Sequence, residues 1–73
     1  MNQKKSDKLR GVIAKYATME GAESKTKQAE RALISRRCYA YRFENPGAFT
    51  LDELENLSRA FKIPWSEIAE ALR

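Results

Sequence analysis

Apolar residues recur along this chain at helical spacing and never alternate with the two-residue period of a strand. Leu9, Val12, Ile13, Tyr16 and Ala17 form one stripe, which predicts a first helix with a single buried face. Ser6 stands where such a helix needs a cap, so residues 1–6 read as a flexible basic N-terminus and 7–73 as the folded domain. Lys5, Lys8 and Lys15 fall off the stripe. Thr18–Ser24 then reads as a connector, with Gly21 free to take positive φ after the helix.

Two short helices follow. The first is expected over 26–33, capped by Ser24 or Thr26, with Ala29, Ala32 and Leu33 as its apolar positions. Alanines on so short a helix imply a close crossing, where larger side chains would not fit. Ile34 reads as an apolar plug in the turn, and Ser35 as the cap of a third helix over 36–44. Tyr39 and Phe43, four apart, are its inward pair. Arg36, Arg37, Ala40 and Tyr41 are its outward residues. Asn45-Pro46-Gly47 stops it, because proline cannot continue a helix and Asn and Gly tolerate the cap geometry. Two helices this close in sequence must cross steeply, which is helix-turn-helix geometry.

Thr50-Leu-Asp-Glu53 is a capping box. The fourth helix carries Leu51, Leu54, Leu57, Ala60 and Phe61, with an acidic first turn and a basic end that suit the helix dipole. Ile63-Pro64 breaks it, and Trp65, Ile68, Ala69 and Leu72 mark a last helix. The expectation is an all-α fold of five helices.

Composition sharpens this. The 73 residues suffice for one small domain that buries roughly 60% of its extended surface. Net charge is +4, unevenly spread: residues 1–42 hold 11 basic and 4 acidic side chains, and residues 43–73 hold 3 basic and 6 acidic. The basic excess therefore coincides with the short helix pair and points to a polyanionic partner. The chain has no His and one Cys, which excludes a Cys/His metal site and an internal disulfide and fits a reducing cytoplasm. No apolar run approaches the ~20 residues of a membrane span, and the basic N-terminus lacks a signal core. Without His, a plausible carboxylate pair or a phosphate loop, no catalytic residue, cofactor or small-molecule substrate is expected.

The run Ala29-x3-Leu33-Ile34-Ser35-Arg36-x2-Tyr39, then Asn45-Pro-Gly-x-Phe-Thr-Leu-Asp-Glu-Leu54, then Leu57-x2-Ala60-Phe-Lys-Ile63-Pro resembles the lambda-repressor/Cro family of helix-turn-helix regulators. The likeness is to its small phage and prophage versions and covers about residues 9–72. It departs from the family at the turn, where Leu33 replaces the usual glycine, and at the start of the second helix. Two registers across the turn follow. One keeps Ser35 as cap with Tyr39 inward; the other, slipped by one, turns Ala40 inward and Tyr39 outward. The first preserves the Tyr39/Phe43 pair and is preferred.

The resemblance implies a compact lambda-repressor-like DNA-binding domain whose third helix enters the major groove of an operator. Arg36, Arg37, Ala40 and Tyr41 would contact bases. Lys25, Thr26 and Lys27, at the start of the second helix, and Arg42 would contact phosphates. Trp65, Ile68 and Leu72 are the candidate interface of a homodimer on a two-fold site; the other reading closes them over the first helix. The expected role is a Cro-like transcriptional repressor. The alternative is a protein-interaction module on the same fold, an antirepressor or partner-binding regulator.

Overall fold

A computed structural model describes residues 1–73. It is all-α: α1 Gln3–Met19, α2 Lys25–Arg31, α3 Arg36–Glu44, a 3-10 turn Pro46–Ala48, α4 Leu51–Phe61 and α5 Trp65–Ala71. Its radius of gyration, 10.8 Å, matches the about 11 Å of a compact chain this long. No helix is long and apolar enough to cross a membrane.

α1 starts earlier than its stripe suggests. Asn2, not Ser6, caps it: the Asn2 carboxamide oxygen accepts from the amide of Lys5 at 2.8 Å. Residues 3–6 are thus helical, and Ser6 is buried inside the first turns. Asn and Ser are both favoured caps, one through a carboxamide oxygen and the other through a hydroxyl, and Ser6 is buried within the helix.

Leu9, Ile13 and Ala17 of α1 form one wall of the core. Leu54, Leu57 and Phe61 of α4, with Ile68 and Ala71 of α5, form the facing walls. Ala29, Ala32, Ile34 and Tyr39 close the side made by α2 and α3. α1 packs on α5 and α4, α2 on α3, and the 3-10 turn bridges α1 and α3.

Two predicted stripes are corrected. Leu51 is 65% exposed. As the first residue of α4, it lies about 60° beyond Leu54 on the side away from Leu57, and so about 90° around the helix from the middle of the face that meets the core. In α5, Ile68 and Ala71 are inside, whereas Trp65, Ala69 and Leu72 are exposed. Ile68 and Ala71 lie three positions apart, and that spacing sets the buried face of this short helix.

Candidate nucleic-acid interface

The short helix pair is assembled from its ends inward. Ser24 caps α2, its hydroxyl accepting from the amide of Lys27 at 3.1 Å. α2 ends at Arg31, two residues before the predicted stop, because Leu33 adopts φ 60°. The Ile34 amide reaches back to the Ala29 carbonyl (3.0 Å), and the Leu33 amide to that of Glu30 (3.2 Å). These are the two crossed hydrogen bonds of a Schellman ending, with Ile34 and Ala29 buried as its apolar pair. Ser35 then caps α3 by accepting from the Cys38 amide at 3.2 Å.

The register is the one with Tyr39 inward. Its ring is fully buried, 5.9 Å from that of Phe43 and 6.1 Å from that of Phe49. The Tyr39 hydroxyl donates to Gln28 Oε1 at 2.6 Å, and Gln28 Nε2 donates to the Ala22 carbonyl at 3.0 Å. This buried relay ties α3 through α2 to the connector after α1. Burial pushes the Tyr39 phenol well above its ordinary value, so it holds its proton and donates. Gln28 is polar and lies outside the apolar positions expected for α2. The signal that finds it is position: it lies four before Ala32 and so on the packing face of α2.

With Tyr39 inward, the opposite face of α3 is open. Arg36, Arg37, Ala40 and Tyr41 are all exposed. Neither Arg36 nor Arg37 takes part in any of the chain's ion pairs. Cys38 lies beside them, exposed and free. A hydrogen bond with Ser35, then one with Arg42, hold its thiol below the usual range.

Lys25, Thr26 and Lys27 are exposed at the start of α2. Lys25 is anchored: its ammonium lies 3.7 Å from the Glu44 carboxylate and 4.7 Å from the centre of the Phe43 ring. The start of α2 is therefore held against the end of α3. Lys27 makes no ion pair.

Arg42 is placed differently. Its guanidinium lies 2.9 Å from Glu53 Oε2 and donates through Nε to the Ala48 carbonyl at 3.3 Å. Both side chains of the pair are largely covered, so Arg42 straps α3 to α4 and is not a free cation. Glu53 serves twice, since Oε1 also accepts from the Thr50 amide and completes the capping box. A second strap escaped the sequence reading. Arg10 of α1 donates to the carbonyls of Phe43 (3.2 Å) and Glu44 (3.0 Å), placing a cation at the C-terminus of α3. Asp7 accepts from Arg10 at 2.6 Å, and that bond holds the Asp7 carboxyl below the usual range.

Of the candidate dimer residues, Trp65 is 44% exposed and Leu72 36%, but Ile68 is wholly buried and belongs to the core. No family model matches this chain, and no curated protein or solved structure matches it either.

Proposed function

We propose that this protein binds double-stranded DNA through α3 as a helix-turn-helix module of the lambda-repressor type, acting as a Cro-like repressor. The observation that carries the reading is the pair Arg36 and Arg37. Both sit in the first turn of a helix whose other face is locked by Tyr39, and both are exposed and free of carboxylates. Two exposed, unpaired guanidiniums in the first turn of α3 suit the O6 and N7 acceptors of guanine, each such bidentate contact discriminating by about 1–3 kcal/mol. Ala40 offers a methyl to thymine, and Tyr41 a hydroxyl to a base or phosphate. Lys27 and Thr26, exposed at the start of α2, supply phosphate contacts that set the position of the helix on the duplex. Trp65 and Leu72 offer apolar surface for pairing two copies on a palindromic site.

Selection of bound sequences from a random duplex pool tests this. A palindromic motif is expected, lost in Arg36→Ala/Arg37→Ala. Binding should weaken steeply with salt, and Lys27→Ala should reduce the slope of log K against log salt by about 1. Recovery of no motif, with weak binding equal in mutant and wild type, would refute the reading.

A further inference from the structure

Three helices of this chain end in the same way, with an amide reaching back five residues and a residue at positive φ just before it. After α1 the residue is Gly21 (φ 82°), after α2 it is Leu33 (φ 60°), and after α4 it is Lys62 (φ 56°). Glycine takes this conformation without steric cost, whereas an L side chain there is strained by roughly 1–2 kcal/mol. Lys62 bears the same strain, with its ammonium 4.0 Å from the Glu20 carboxylate. Leu33 is 84% exposed and, being apolar, forms no such pair. Leucine here bears backbone strain and gains almost no burial, so its side chain stabilises nothing within the fold. An outlier of this kind at the surface points to a contact made outside the chain.

The surroundings specify the contact. Leu33 forms the edge of a shallow depression with Arg31, Asn56, Arg59 and Ala60. Its volume, about 230 Å³, is below the size of a typical small-molecule pocket and suits one or two side chains of a docked segment. No acidic residue lines it. Arg59 donates to Asn56 Oδ1 at 2.7 Å and makes no ion pair. Arg31 donates to the Glu20 carbonyl and lies over the Phe61 ring, with its charge also uncompensated by a carboxylate. An apolar centre flanked by two unpaired guanidiniums is complementary to a chain that brings an apolar side chain between carboxylates.

We propose that the depression at Leu33 docks an acidic peptide segment of another protein, anchored by one apolar side chain against Leu33 and held by Arg31 and Arg59. No residue of α3 lines the depression, and the inference does not depend on DNA binding.

Leu33→Gly suits the test because it removes the side chain while relaxing the backbone. A peptide-display library is panned against the whole protein, and each recovered peptide is then titrated against wild type, Leu33→Gly and Arg59→Glu. Peptides with an apolar residue flanked by Asp or Glu are expected. Their affinity should fall about tenfold or more in either variant, while Leu33→Gly melts no lower than wild type and holds duplex DNA as wild type does. Failure to enrich any such peptide, or equal binding to wild type and Leu33→Gly, would overturn the proposal. Loss of duplex binding in Leu33→Gly would overturn it too, by assigning the patch to DNA. Loss of DNA binding in Arg36→Ala/Arg37→Ala with peptide binding intact keeps the two sites separate.

Discussion

Tyr39 and Gln28 show how one polar pair can decide the placement of a helix. Gln28 is nearly buried, and both its polar atoms are used, one by the Tyr39 hydroxyl and one by the Ala22 carbonyl. Tyr39→Phe keeps the ring but strands a buried acceptor, so it should cost about 1–3 kcal/mol in urea denaturation at neutral pH. The pH dependence has a definite sign. Because the folded state holds the phenolic proton more tightly than the unfolded chain, this contribution is complete below about pH 10 and is lost as the pH climbs beyond it. Wild type should therefore lose stability above about pH 10 more steeply than Tyr39→Phe. Parallel alkaline profiles would show that Tyr39 is not the group responsible.

At the scale of elements, the helices are closed by local devices of differing strength. α4 has the strongest start, with Thr50 and Glu53 satisfying each other's amides at 3.1 and 2.9 Å. Thr50→Ala should remove about 1 kcal/mol, lowering the melting temperature by about 4–8 °C in a chain of this size. An unchanged melting temperature would mean that packing of Leu54, Leu57 and Phe61 alone holds the start of α4. α2, by contrast, has seven residues, too few to persist in isolation. It is helical because Ala29 and Ala32 are buried, Gln28 is bonded at both ends and Lys25 is held against α3. Small residues permit the close crossing, as their spacing suggested. The crossing itself depends on Leu33 accepting a conformation that its side chain disfavours.

Across the whole molecule, the arginines divide into straps and free cations. Arg10 and Arg42 join α1 to α3 and α3 to α4, whereas Arg36 and Arg37 reach solvent. Arg42→Ala should cost about 1–2 kcal/mol of stability, because it leaves Glu53 largely covered and without its cation. Its duplex affinity, measured below the melting transition, should stay within a few-fold of wild type, whereas Arg36→Ala should melt as wild type does and bind duplex far more weakly. A stable Arg42→Ala protein with lost DNA binding would reverse this assignment and return Arg42 to the phosphate contacts.

The chain's own pattern was enough to locate the helices, because apolar spacing, caps and breakers act over a few residues. Ser24, Ser35 and the Thr50/Glu53 pair cap the helices they were expected to cap, and Tyr39 with Phe43 identifies the inward face of α3. The same local chemistry named Arg36, Arg37, Ala40 and Tyr41 as outward residues, and all four are exposed. What only the tertiary structure decided lies in partners distant along the chain. Gln28 is buried because Tyr39, eleven residues on, needs an acceptor. Arg42 is a strap because Glu53 faces it across a turn, and Arg10 because the end of α3 meets it 33 and 34 residues away. Ile68 rather than Trp65 or Leu72 enters the core because α1 covers one side of α5 only. Periodicity fixes which residues share a helix face, but the direction that face points is set by the other helices, whose positions no local pattern contains.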